Sequence, residues 1–374
     1  MLPAIPKSLG TLPLVFASAL DAVQAKTNPL ELPKVRSAVV ILVDGLGSHN
    51  LAARAGHAPF LSRAAAANKP LKSDFPSTTA TSLTGFGTGL RAAEHGIIGY
   101  SLLGPNGPEV LNMLSGWGPG QDPLIWQPNE TIAAKADAAG VTAHFVGPAE
   151  YQGSGFTKLT MRGAEYHSAK SVDDRLESAL RIVRSGRNLV YVYVPELDQT
   201  AHSKGWESDA WIDLLEQLDH AVKRFASALP KGVGAILTAD HGVLDIPSEK
   251  HIYLEEFGAS VADFEMVAGD PRVNFVYLND PSAAAMTAEK IADVLPSGVH
   301  AFTGRELVAS GIFGGTSLKT QTRTPDVVVM AVSNWAIYDR RFAKPQSLKM
   351  IGQHGSISPQ EVEVPLAKFG DFGA

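Results

Sequence analysis

Cysteine is absent from the 374 residues, which excludes disulfides and every thiolate metal site. The compartment stays open on that ground, although the absence accords with a reducing cytosol. No uncharged run approaches the ~20 residues needed to span a bilayer. The short apolar piece Leu12–Leu20 lacks a basic n-region and is punctuated by proline, which argues against a signal peptide. A cytoplasmic protein without a membrane partner is therefore expected. Excess positive charge is missing too: the formal net charge is −6, so nothing favours a nucleic-acid polymer as partner. Phosphate chemistry would need positive charge supplied locally by metal or helix ends. A Walker-type phosphate loop and a GxSxG elbow are both lacking, and with them the key residues of NTPases and serine hydrolases.

What is there describes an ordinary globular α/β chain, 45% hydrophobic and 19% charged. Its length allows one large domain or a domain with a lid. Continuous β-branched runs predict strands buried on both faces at Arg36–Val43, Val141–Val146, Asn188–Val194 and Gly234–Thr238. Between them, helices are expected around Ala58–Asn68, Glu130–Gly140, Asp173–Arg184 and Ser208–Leu229. In the last of these, Trp211, Leu214, Leu215, Leu218, Val222 and Phe225 form one apolar stripe, a core face. This alternation predicts a largely parallel sheet covered by helices on both sides. Two regions break the rhythm. Ser101–Pro128, rich in Gly and Pro and holding Trp117 and Trp126, predicts a long loop or small excursion near the mouth of a site. Residues 252–323 predict an insertion or subdomain within one domain spanning 1–374, with short strands such as Arg272–Leu278 and a helix near Ala284–Val294.

Ligands of open α/β sheets bind beyond the carboxyl ends of the strands. Three buried runs deliver acids there: Asp44 after Val43, Asp198 just past Val194, and Asp240-His241 after Thr238. His202 follows Asp198 at helical spacing, and His354 lies in GQHGS beyond a strand-like run at Pro325–Val332. Three carboxylates and three imidazoles at one edge require cations, since uncompensated carboxylates would repel and take up protons. Mixed Asp/His ligands suit zinc. Three carboxylates and one alkoxide also balance two dications. The other eight of the eleven histidines, His49, His57, His95 and His220 among them, predict ordinary polar or structural roles.

The segment Asp74–Tyr100 opens with Phe75-Pro76 and then two threonines before a run of small residues. Thr79 is a natural helix N-terminus, where a hydroxyl meets unpaired N–H groups and the positive end of a dipole. An anion is at home there. The spacing of GFGTG at Gly85–Gly89 is wrong for a dinucleotide fingerprint and points to close helix packing.

Six motifs in order carry a family resemblance: VDG at Val43–Gly45, FPSTT at Phe75–Thr79, TGLRAAEHGI at Thr88–Ile97, ELDQTAH at Glu196–His202, ADHG at Ala239–Gly242 and GQHG at Gly352–Gly355. Together the chain resembles the alkaline phosphatase superfamily, nearest the nucleotide pyrophosphatase/phosphodiesterase family. That resemblance implies a three-layer sandwich, two zinc ions and a threonine nucleophile at Thr79, with Thr78 the runner-up. By position, Asp198, His202 and His354 would hold one ion; Asp44, Asp240 and His241 would hold the other, together with the oxygen of Thr79. Implied too is hydrolysis of a small-molecule phosphodiester or nucleotide phosphoanhydride through a phosphothreonine. A phosphonate hydrolase or phosphomonoesterase of the same superfamily is the alternative, and a non-catalytic phosphate-ligand binder a further one. The chain departs from the family pattern at Tyr100, where an asparagine usually contacts a phosphoryl oxygen, and at Ala80, where an aromatic residue usually clamps the base. Tyr193 matches the other half of that clamp, and Trp117 or Trp126 is available to replace the missing ring. The resemblance leaves oligomeric state open.

Overall fold

The computed structural model describes residues 10–104, 109–316 and 323–373. Parts of two expected regions, 105–108 of the loop and 317–322 of the insertion, lie outside the described residues. Two larger sheets are built from β1 (Ser37–Val43), β2 (Thr142–Gly147), β3 (Glu165–Ser168), β4 (Asn188–Val194), β5 (Val233–Thr238), β6 (Phe264–Asp270), β7 (Val273–Leu278), β8 (Val299–Thr303), β9 (Val327–Ala331) and β10 (Ala367–Gly370). The central sheet has the order β10-β5-β1-β4-β2-β3, parallel except for the antiparallel edge strand β10. Every residue of β1, β4 and β5 is buried, the reason those strands are unbroken apolar runs rather than alternating ones.

Helices pack on this sheet in two groups. Pro13–Val23 lies on β1 and against the helix Thr79–Thr88. Val172–Val183 and Asp209–Ser227 pack on each other and on β4 and β10, respectively. Leu12, Val15, Phe16 and Ala19 are fully or almost fully buried, so the apolar piece near the start is core of this domain. Trp211, Leu215, Leu218, Val222 and Phe225 bury the stripe expected of Asp209–Ser227, with Leu214 at its margin. No helix among the described residues is long and apolar enough to cross a membrane.

The second sheet is antiparallel, in the order β6-β7-β9-β8. It shows strict alternation. Val273, Phe275, Tyr277, Val328 and Met330 enter one core with Phe75, Ile97 and Phe313, while Val276, Leu278, Val327 and Val329 enter another. The region 252–323 supplies three of its strands, and β9, the strand expected ahead of His354, supplies the fourth. The sixth strand of the central sheet is instead β10, too short to announce itself as a buried run. One face of the second sheet thus packs against the segment that carries Thr79.

Candidate active site

Register decides which strand ends meet. Leu42 pairs with Thr238 and Val43 with Val194, so continuing each strand two residues brings Asp44 beside Asp240. The turn after Asp44 needs a glycine: Gly45 has φ +73°, and a Cβ there would lie 3.0 Å from the Asp198 side chain. Gly45 N–H in turn donates to Asp240 Oδ1 at 3.2 Å. Past β4, Pro195 leads into the helix Glu196–Lys204, which sets Asp198 and His202 one turn apart with 3.1 Å between Oδ2 and Nε2.

The segment that carries Thr79 differs from expectation by one residue. Thr78, not Thr79, caps the helix Thr79–Thr88: its hydroxyl oxygen accepts from Thr81 N–H at 3.3 Å and its O–H donates to Thr81 Oγ1. Thr79 is the first helical residue, and its hydroxyl lies 3.1 Å from His241 Nε2. Capping therefore occupies the runner-up and leaves the Thr79 hydroxyl turned to His241. The small residues behind it have a packing cause, since a Cβ on Gly87 would stand 2.2 Å from the Thr160 carbonyl oxygen. Asp74 closes the segment on itself by accepting from Arg91 Nε at 2.6 Å and Ala92 N–H at 3.1 Å.

The six acid and imidazole side chains converge. Ligand atoms of Asp44, Asp240 and His241 lie within 4.8 Å of one another, and so do those of Asp198, His241 and His354. His241 stands between the groups, its ring stacked on His354 at 3.5 Å, while His202 sits one step out beside Asp198. Each imidazole turns Nδ1 to a backbone carbonyl: His202 to Gly352 at 2.8 Å, His354 to Ser77 at 2.9 Å and His241 to Gly242 at 3.3 Å. That leaves three Nε2 atoms aimed at carboxylates, an orientation that prepares imidazole for a metal. Asp44 Oδ1, Asp198 Oδ1 and Asp240 Oδ2 are all buried without a hydrogen bond. Divalent cations fit these donors, and bound they would remove the cost of three orphaned buried carboxylate oxygens.

Electrostatics tell the same story. Burial, and then the neighbouring Asp44, drive the Asp240 carboxyl well above its ordinary range. Burial opposes a charge on His241, yet Asp240 and Asp44 push it up to about 10. Burial and the facing His241 hold His354 well below the ordinary value. Without cations, protons do the neutralising.

The cluster floors a cavity of about 580 Å³ lined by Asp44, Thr79, Asp198, His202 and His354. Glu150 and Asp270 line it as well, and no Lys or Arg does among the described residues. Tyr100 lies on its wall, exposed at the site of the usual asparagine. Tyr193 also lines the cavity, but its hydroxyl donates to Asp44 Oδ2 and its ring is packed edge-on to Tyr151. Ala80 is fully buried in the core that holds Phe75, Phe275 and Phe313, and Trp117 and Trp126 pack against each other at 6.1 Å, away from the lining. Tyr151 and Phe156, which sequence reasoning missed, add to the aromatic surface of the lining. Both follow β2, and the rule that ligands bind beyond strand ends could have singled out that connection. Also missed were two buried arginines. Arg175 joins Glu196 and the Tyr193 carbonyl, and Arg272 joins Glu361.

A mixed α/β sheet that gathers acids, imidazoles and a threonine hydroxyl at its strand ends defines an alkaline-phosphatase-like protein. The chain belongs to the type I phosphodiesterase/nucleotide pyrophosphatase family, whose model matches residues 38–357. Murine ectonucleotide pyrophosphatase/phosphodiesterase 5 shares the fold at a TM-score of 0.68 and 17% identity, covering 89% of this chain and 88% of that one. The same values hold for an inactive threonine-to-alanine variant of the murine protein in complex with AMP. The human counterpart has a TM-score of 0.67 at 17% identity, over 89% and 87% of the two chains. No curated protein sequence matches this one. The family supports a hydrolase of the phosphodiesterase or pyrophosphatase type, and the solved structures show that the fold is shared.

Proposed function

We propose that the chain is a two-metal phosphodiesterase or nucleotide pyrophosphatase acting through a phosphothreonine at Thr79. One observation carries this: three buried carboxylate oxygens without hydrogen-bond partners gather around His241, whose Nε2 lies 3.1 Å from the Thr79 hydroxyl, beside a cavity whose described lining offers an anion no Lys or Arg. Asp198, His202 and His354 would hold one ion, and Asp44, Asp240 and His241 the other, zinc being the metal that matches the donors. Bound, the pair lowers the pKa of the Thr79 hydroxyl and neutralises charge on the phosphoryl group.

The chain supplies the rest. Thr79 Oγ1 attacks phosphorus in line, forming the Oγ1–P bond as the bond to the leaving oxygen breaks. Thr81 N–H is taken by the Thr78 cap, so the N–H groups of Thr79 and Ala80 remain for a phosphoryl oxygen at the helix N-terminus. Water then attacks phosphorus, and Thr79 departs with its oxygen. Tyr151 and Phe156 give the pocket apolar faces suited to a nucleobase or another flat group, in keeping with the AMP bound by the murine variant.

The test is hydrolysis of bis(p-nitrophenyl) phosphate by the metal-loaded protein, expected to outrun the monoester. Thr79→Ala should lower kcat by roughly 10³-fold or more, and chelation should abolish turnover until zinc is restored. Activity that survives both would overturn the mechanism. Equal rates on the monoester would favour a phosphomonoesterase.

A further inference from the structure

At the other end of the central sheet, two of the histidines assigned ordinary roles from sequence come together with an acid. His144 lies on β2, and Glu165 and His167 lie two apart on the edge strand β3. His144 pairs in register with Glu165, so all three side chains share one face of the sheet. His144 Nδ1 is 2.9 Å from His167 Nε2 and 3.5 Å from Glu165 Oε2.

The neighbour Asn188 fixes how these atoms are used. Its amide nitrogen donates to the carbonyls of Ser185 at 2.6 Å and Ile182 at 3.1 Å, so the amide oxygen is what faces His144. His144 Nε2 must therefore be the protonated nitrogen, donating to Asn188 Oδ1 at 3.1 Å. Nδ1 is left as a bare lone pair directed at His167 and Glu165. A ring locked by a hydrogen bond on one nitrogen, with the other aimed at further donors, is the arrangement that readies imidazole for a metal.

We propose that His144, Glu165 and His167 form a peripheral binding site for a divalent transition-metal ion of the zinc class. The spacing suits one: nitrogens about 2.0–2.1 Å from a tetrahedral zinc stand roughly 3.3 Å apart, between the two separations found here. Donor type selects the metal, since two imidazoles and one carboxylate favour zinc, nickel or copper over magnesium or calcium. Access is open, because the Glu165 side chain is 65% exposed and solvent can fill the remaining position. The ion would tie the edge strand β3 to β2, and it owes nothing to the catalytic cluster beyond β4.

Zinc alone is the probe. Full-length protein is stripped with chelator, reloaded with Zn²⁺, desalted and analysed for metal per chain. His167→Ala should carry one ion fewer than wild type and hydrolyse its substrate at an unchanged rate. Asp240→Asn should lose catalytic zinc yet retain an ion that disappears in Asp240→Asn/His167→Ala, which separates this site from the catalytic one. Glu165→Gln, a surface change that leaves packing intact, should weaken the extra ion at least roughly tenfold. Zinc content and affinity equal to wild type in both His167→Ala and Glu165→Gln would show a plain histidine–histidine hydrogen bond and overturn the proposal.

Discussion

Asp44, Asp240 and His241 leave the ends of adjacent parallel strands, whereas Asp198, His202 and His354 come from a nine-residue helix and a loop. The first half of the cluster inherits its geometry from the sheet: once β1 and β5 pair, Asp44 and Asp240 are neighbours. Nothing comparable holds the second half. It is braced instead by ion pairs made by two buried arginines. Arg175, fully buried, grips Glu196 at the start of the helix that carries Asp198. Arg272 grips Glu361, which also accepts from Ser356 N–H at 2.9 Å and Ser358 Oγ at 2.6 Å just beyond His354. A strand end costs no extra ordering, but a loop ligand must be fixed by partners of its own, here charges taken out of water.

Removing one of those braces should produce the largest stability loss outside the catalytic groups. In Glu361→Gln the Arg272 guanidinium stays buried without its counter-charge, and unfolding free energy should fall by about 3–5 kcal/mol. Urea melts give the number. Glu196→Gln should cost clearly less, because its side chain is 29% exposed and water screens what remains. Equal losses would mean that burial does not distinguish the two braces.

The same contrast explains what could be read in advance. Asp44, Asp240 and His241 were legible because an unbroken apolar run ending in an acid is a local signal. Asp198 and His202 were legible from helical spacing. His354 has a weaker signal: it was placed at the edge only as a residue beyond the strand-like run Pro325–Val332 and by motif resemblance, and that strand belongs to the second sheet. The capping role of Thr78 was missed because adjacent threonines look alike until the helix start is fixed to one residue. Tyr151 and Phe156 sit on a turn and a short helix without periodicity, and Arg175 and Arg272 look like surface charges until their partners, 21 and 89 residues away, are known.

Acid should reveal the Glu361 brace more gently. Burial opposes its ionisation, but the Arg272 charge outweighs burial and holds the carboxyl below the ordinary 4.5. A carboxyl lowered in the folded state stabilises it at pH above 4.5, and this contribution is lost as pH falls through the folded value. Wild type should therefore lose stability below that pH, and Glu361→Gln should show a shallower decline because the titrating group is gone. Parallel curves would assign acid sensitivity to other carboxyls.

The smallest effect separates two roles for Tyr193. Its position matches half of a base clamp, yet its hydroxyl donates to Asp44 Oδ2 and so turns Oδ1, which has no partner, toward the Nε2 of His241. Tyr193→Phe keeps the ring, packed between Tyr151 and Tyr191 at 5.7 and 6.1 Å, and deletes only that bond. If the hydroxyl orients a ligand of the sheet-borne half, zinc affinity should drop about 10–100-fold, with kcat restored by excess zinc and KM unchanged. Stability should change by only about 1 kcal/mol, the net worth of one hydrogen bond. Because the ring survives, a clamp role predicts no change in any of these quantities. A clamp would be exposed by Tyr193→Leu, which should raise KM for an aromatic diester beyond the effect of Tyr193→Phe at saturating zinc. Should Tyr193→Phe leave the zinc dependence untouched, Asp44 is oriented by the sheet alone, and the strand-end half of the cluster needs no brace at all.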